Sequence, residues 1–199
     1  MNRAADLVLI TQLAQAWGLY RDQGLWPALM ETFTDDGRIS VSWFEGTIHD
    51  FIDRCRATHK AISPRGKHLI GTPLIRVQGD RATAEMNVQI LGRATFSGIA
   101  VDNTSYARFV DRVIRTERGW RIVERVAVYE KDRLDPVVPS AAFDRFMSET
   151  DFSDIPEAYR YLGYRLRQTG RQLRPDIVVD GSPEADALLA NAHKWLSAD

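Results

Sequence analysis

One histidine and one carboxylate have the side-chain types that acid–base chemistry needs. His68 opens the segment Lys67-His68-Leu69-Ile70-Gly71-Thr72-Pro73, directly after a helix-to-strand turn. Imidazole titrates near neutral pH, so His68 is the candidate base for taking a proton from carbon or from a hydroxyl. Taken alone, a histidine beside apolar residues is more commonly a hydrogen-bonded core or surface residue. Asp22, in Arg21-Asp22-Gln23-Gly24, reads by itself as an exposed loop carboxylate. Other reactive types offer less. His59 and His193 read as solvent-exposed helix residues, and a helix-start role is sufficient for His49. Cys55, the single cysteine, has no Cys or His companion at metal-ligand spacing and sits in an amphipathic stretch as a small half-buried residue. Without a metal cluster, a phosphate-binding glycine loop or a nucleophile triad, neither metal nor cofactor is expected.

The elements that must position these residues follow from periodicity. Leu7, Ile10, Leu13, Ala14 and Trp17 share one face of a helix running from about Arg3 to Tyr20. Leu25, Trp26, Leu29, Met30 and Phe33 give a second short apolar face with Pro27 in its first turn, so two helices meet near Asp22. Asp35-Asp36-Gly37 is a turn signal, Arg38 to Trp43 alternates as a half-buried strand ending by Gly46, and Thr47 to Ile62 suggests a third helix closed by Ser63-Pro64-Arg65-Gly66. From His68 to Tyr129 the chain reads as four strands: His68 to Val77, Ala82 to Phe96, Thr104 to Arg115 and Trp120 to Tyr129. The class is α+β, with N-terminal helices on one face of a bent antiparallel sheet that can enclose a cone-shaped cavity.

After Asp135-Pro136, prolines divide the chain into short helices at Ala141 to Ser148, Pro156 to Gln168 and Pro183 to Leu196. Its aromatic residues are too many for a free tail. We therefore expect one domain over residues 1–134 and a C-terminal extension over 135–199, packed on that domain or on a neighbouring subunit. The 199 residues, 44% apolar and 27% charged, can bury a sizeable core. A net charge of −1 provides no broad attraction for nucleic acid or anionic lipid. The run Leu7-Val8-Leu9-Ile10 is broken by Thr11 and Gln12, short of a signal or membrane segment, so a cytoplasmic protein is expected.

Several segments together resemble the SnoaL-like branch of the NTF2-like superfamily: Asp22-Gln23-Gly24-Leu25-Trp26-Pro27-Ala28-Leu29, Phe33-Thr34-Asp35-Asp36-Gly37, the His68 to Pro73 stretch, Gly119-Trp120-Arg121-Ile122 and Val128-Tyr129-Glu130. The resemblance spans roughly Leu7 to Asp135. Within the superfamily it is nearest to scytalone dehydratase, hexachlorocyclohexane dehydrochlorinase and bile-acid 7α-dehydratase, cofactor-free lyases built on an Asp-His dyad. It implies that fold, an NTF2-like cone-shaped barrel, with Asp22 orienting His68 and stabilising its imidazolium. Where the bile-acid enzymes carry tyrosines this chain has Trp17 and Trp43, which suggests a flat aromatic substrate held by stacking. An arginine of that family is replaced by Ala127, with Arg125 the nearest substitute on the same strand face. Asn87 and Gln89 share one strand face and, if it lines the cavity, would bind a substrate oxygen. Tyr129 would supply a hydroxyl near the cavity end, with Asn103 and Tyr106 as further candidates.

The expected activity is cofactor-independent elimination from a small cyclic or aromatic molecule, loss of water first, with hydrogen halide or a small aldehyde as other leaving groups. An isomerase or polyketide cyclase, a non-catalytic small-molecule binder, or a small dioxygenase subunit are the rival readings on the same fold. A homo-oligomer, trimer or dimer, is also implied by the resemblance.

Overall fold

The structure is a computed structural model in which residues 3–59 and 66–197 are described. Helix α1 (Arg3–Gln23) buries Ile10, Ala14 and Trp17 and continues past Tyr20, so that Gly18 and Asp22 also belong to its inner face. Its start is tied to the sheet through buried Asp6, which accepts from Trp120 Nε1 at 3.1 Å and pairs with Arg115 at 2.8 Å. Helix α2 (Trp26–Met30) follows, with Pro27 in its first turn, where a missing N–H costs nothing.

Strand β1 (Phe33–Val41) begins earlier than its alternation indicates. Asp35-Asp36-Gly37 does not end an element: the pairing register shifts between Phe33 and Arg38, so the turn residues form an irregularity inside the strand. The chain turns at Ser42-Trp43 into β2 (Phe44–Thr47) and then enters α3 (Ile48–His59), capped by Thr47, whose hydroxyl accepts from the Asp50 amide at 3.2 Å. Ile48, Phe51, Ile52 and Cys55 are its buried face. The expected end of this helix at Ile62 and the breaker residues Ser63-Pro64-Arg65 lie outside the described residues.

The remaining strands are β3 (Lys67–Ile70), β4 (Leu74–Gln78), β5 (Arg81–Phe96), β6 (Ile99–Thr116) and β7 (Gly119–Pro136). They form one sheet in the order β2-β1-β7-β6-β5-β3, with β4 also paired to β5. The single strand read from His68 to Val77 is two, because Gly71-Thr72-Pro73 interrupts it and Pro73 has no N–H to give the ladder. The sheet is mixed rather than wholly antiparallel, since β1 runs parallel to β7. No hairpin joins those two strands, so nothing imposes the antiparallel direction that tight turns impose elsewhere.

The last segment packs on both faces of the sheet. Phe146 of α4 (Ala141–Glu149) joins Phe96, Val101 and Leu134 in a second small core at the far ends of β5, β6 and β7, which explains why β6 and β7 run longer than expected. A short 3₁₀ turn at Glu157–Tyr159 leads into α5 (Arg160–Gln168), whose Leu162 and Leu166 enter the main core. The Leu162 amide donates to Asp132 Oδ2 of β7 at 2.7 Å, fixing the start of α5. Helix α6 (Pro183–Ser197) places Ala185 and Ala192 against Val110 and Val128 on the opposite face. No described helix is long and apolar enough to cross a membrane.

Among the described residues the sheet carries one fully buried ion pair. Arg125 and Asp111 are cross-strand partners on β7 and β6, with Nε to Oδ1 at 2.7 Å and Nη2 to Oδ2 at 2.6 Å. The bidentate pair balances the two charges, with Arg125 Nη1 left without an acceptor among the described residues, and removing one member strands the other. Arg125→Met is therefore expected to lower unfolding free energy by about 3–5 kcal/mol in urea titrations. Arg125→Met with Asp111→Leu should recover most of that loss, since no unpaired charge remains.

Candidate active site

His68 and Asp22 come together as one unit. Gly18 lies one helical turn before Asp22, and a Cβ there would stand 2.8 Å from Ile70 Cγ1 and 3.2 Å from the His68 carbonyl oxygen. The bare glycine lets α1 approach β3 closely enough for the Asp22 carboxylate to reach it. Asp22 Oδ2 accepts from the His68 backbone amide at 2.7 Å, and Oδ1 lies 2.7 Å from His68 Nδ1. Burial disfavours the charged form of Asp22, but the bonds from His68 and the charge of Arg21 outweigh it and hold the carboxyl below its ordinary 3.8. An ionised carboxylate can only accept, so Nδ1 carries the hydrogen and Nε2 is left with its lone pair. Nε2 has no hydrogen-bond partner among the described residues, and His68 lines a cavity.

The protonation of His68 is set by opposing neighbours. Burial pushes its pKa below the ordinary 6.5; the Asp22 bond raises it, and the charges of Arg21 and Arg165 lower it again. At neutral pH the imidazole is uncharged, the form a base requires.

The cavity, about 140 Å³, is walled largely by apolar groups: Trp17 from α1, Trp43 from the β1–β2 corner, Phe51 from α3, Ile90 from β5, Phe109 from β6 and Leu162 from α5. Trp17 meets His68 edge-on at 5.6 Å, and Trp43 stacks on Phe51 at 5.6 Å. Tyr129 also lines the cavity. Its hydroxyl accepts from the Ser42 amide at 3.0 Å, and burial raises its pKa, so the phenol keeps a proton that it can donate.

Five expected site residues lie elsewhere. His68 is the cross-strand partner of Ile90, so both point inward, whereas Asn87 and Gln89 have the other parity on β5 and are exposed. They line a groove on the outer face of the sheet together with Tyr106. Arg125 does not reach the cavity surface: it is consumed by Asp111 and lies 4.7 Å from the Trp17 ring and 4.5 Å from that of Phe109, supporting the aromatic wall from behind. Asn103 donates to the Arg133 carbonyl at 3.1 Å, away from the cavity. Residues absent from the sequence reading, Arg21, Arg165 and Arg171, do line it. Among the described residues no three His, Cys, Asp or Glu side chains converge as a metal site.

The SnoaL-like domain family matches residues 2–126. The chain belongs to that family. Among curated proteins, this SnoaL-like chain is 27% identical over 169 residues to Pea pathogenicity protein 2 of Fusarium vanettenii, covering 81% of this chain and 69% of that protein. A scytalone-dehydratase-like protein from Novosphingobium aromaticivorans superposes with a TM-score of 0.58 at 16% identity, over 69% of this chain and 92% of the other. An NTF2-like superfamily protein from Salmonella enterica gives 0.56 at 14% identity, over 70% and 97%. A Mycobacterium tuberculosis protein of unknown function gives 0.53 at 18% identity over 96% of this chain and 97% of its own, so that likeness extends into the C-terminal segment. These structures share the NTF2-like fold with this SnoaL-like protein.

Because the folded imidazole takes its proton at lower pH than an unfolded one, His68 detracts from stability as pH falls below 6.5 and contributes no pH dependence well above it. An NMR titration of the His68 ring is expected to give a midpoint below 6.5. Asp22→Asn removes the group that raises the value and should move the midpoint lower still. A His68 midpoint at or above that of a free histidine would contradict the assignment.

Proposed function

We propose that this protein is a cofactor-independent lyase that eliminates water from a small cyclic or aromatic molecule, with His68 as base and Asp22 as the residue that orients it. The observation that carries the reading is the two-point Asp22–His68 contact, with the free Nε2 on a residue that lines an aromatic-walled cavity. Scytalone-dehydratase-like proteins have the same fold, which fits this chemistry without specifying it.

In this mechanism Nε2 takes a proton from a ring carbon next to an activating group. The electron pair left behind forms the new double bond as the hydroxyl departs, and the imidazolium returns the proton to it, so water is the second product. Asp22 stabilises the transient imidazolium, and the apolar wall keeps bulk water from competing. The Tyr129 hydroxyl donates to a substrate oxygen and favours developing negative charge there. A base and a hydroxyl donor facing one cavity also suit an isomerase, which would give a product of unchanged mass rather than one lighter by a water.

A panel of cyclic alcohols and phenolic compounds, followed by the absorbance of the new conjugated double bond and by product mass, tests the reading. His68→Ala is expected to slow turnover by about 10²- to 10⁴-fold with the fold intact by circular dichroism. Asp22→Asn should fall in the same range, because it disturbs the tautomer that leaves Nε2 free. Near-full activity in either variant removes the dyad mechanism.

A further inference from the structure

The cavity wall holds an excess of positive charge that the base chemistry does not use. Arg21, Arg93, Arg165 and Arg171 all line it. Arg93 is neutralised by Asp102 at 2.7 Å, and Arg21 stands 3.5 Å from Asp22, a carboxylate already engaged by His68. Arg165 of α5 and Arg171 just beyond it have no carboxylate within ion-pair distance among the described residues.

These guanidinium groups are held in place rather than free in solvent. A Cβ at Gly92 would collide with the Arg165 guanidinium, so the glycine on β5 is the space that admits it. Arg171 lies 3.8 Å over the Trp43 ring and donates to Thr58 Oγ1 at 3.1 Å. Burial, with Arg21 and Arg171 adding to it, pushes Arg165 down to about 10, yet it stays charged at neutral pH. Two like charges close together at a partly desolvated wall are unfavourable unless an anion neutralises them. Three buried N–H groups on lining residues, Trp17 Nε1, Arg21 Nε and Arg165 Nε, also lack an acceptor among the described residues. Each would gain from an oxygen-bearing ligand.

The cavity size limits what that ligand is. An engineered cavity of about 150 Å³ takes benzene, so the 140 Å³ here suits a molecule of one ring. A planar carboxylate matches the fork of a guanidinium, and the aromatic wall suits the ring.

We propose that the cavity binds a small single-ring carboxylate, with the carboxylate held by Arg165 and Arg171 of the C-terminal segment and the ring lying between them and His68. This rests on the proposed function only in taking the cavity as the substrate site. The arginines then select anionic substrates and hold the ring where Nε2 can reach it, which assigns base and charge recognition to different parts of the chain.

Isothermal titration of the full-length protein with benzoate, cyclohexanecarboxylate and the uncharged benzamide tests this. Both carboxylates are expected to bind, and benzamide to bind on the order of tenfold or more weakly. Arg165→Gln and Arg171→Gln should each erode the preference for carboxylate over amide, and Arg165→Lys should retain most of it. Benzamide binding as tightly as benzoate, failure of all three to bind, or an undiminished preference in the double glutamine variant would overturn the proposal. The comparison of acid with amide on the unsubstituted protein needs no variant to fold. Binding is read without turnover, so loss of the carboxylate preference leaves the dyad standing, while full turnover in His68→Ala would remove the dyad and leave the anion site in place.

Discussion

A carboxylate near the C-terminal end of a helix is in an unfavourable position, because the helix dipole places partial negative charge there. Asp22 occupies that position on α1 and is also 3% exposed, so its charge must be satisfied by specific partners. A single residue supplies two of them: His68 gives its backbone amide to one oxygen and its ring to the other. The same bonds secure β3, a four-residue strand at the edge of the sheet that is paired on one side to β5. On its open side, the His68 amide finds in Asp22 the acceptor that another strand would have supplied. The placement of α1, the attachment of β3 and the tautomer of His68 are therefore one constraint. Gly18 is part of it, since any side chain there would hold the helix away from Ile70 and His68.

Behind this contact lies a second layer. Trp17 stands between His68, Phe51 and Phe109, and Arg125 lies over its face. Arg125 is itself held by Asp111. Strand positions on β6 and β7 thus reach His68 through one indole, which limits how far the imidazole can tilt. The ion pair contributes more to the shape of the wall than to net stability, since bringing both charges out of water offsets most of their attraction.

From the residues alone nothing connects His68 with Asp22, and their pairing was legible only through the family resemblance, which two separate segments, Asp22 to Trp26 and His68 to Pro73, both carry. The helices and long strands were legible from periodicity, but their ends were not, since β6 and β7 are extended by packing against Phe146, far along the chain. Asn87 and Gln89 show the limit of a parity argument. Period two places them together without saying on which side, yet Ala82, Ala84, Met86, Val88 and Ile90 occupy the other parity and are the apolar set, which points the amides outward. Arg125 had the correct face, but its depth depended on Asp111, a partner visible only once the register of β6 and β7 is known. Arg165 left only a faint mark, Gly92 interrupting a β-rich run, and Arg171 left none, because nothing local shows which strand a distant segment will cover.

That covering helix alters the chemistry as well as the shape of the site. Residues 2–126 carry the family likeness and include both His68 and Asp22, whereas α5 lies outside that span. Leu162 and Leu166 of α5 bring apolar surface to the wall facing His68, and burial is the largest influence lowering the imidazole's proton affinity. Arg165, from the same helix, lowers it further, while Asp22 on α1 raises it. The proton affinity of His68 is thus set by burial and the charges of Arg21 and Arg165, which lower it, against Asp22, which raises it, so that the segment after the family-matched span adds to a balance already present within that span. A change in how α5 docks, for instance at the bond from the Leu162 amide to Asp132, would alter both the protonation of His68 and the charge at the cavity wall. The two are linked through α5, because that helix supplies both apolar cover and one of the cations at the wall.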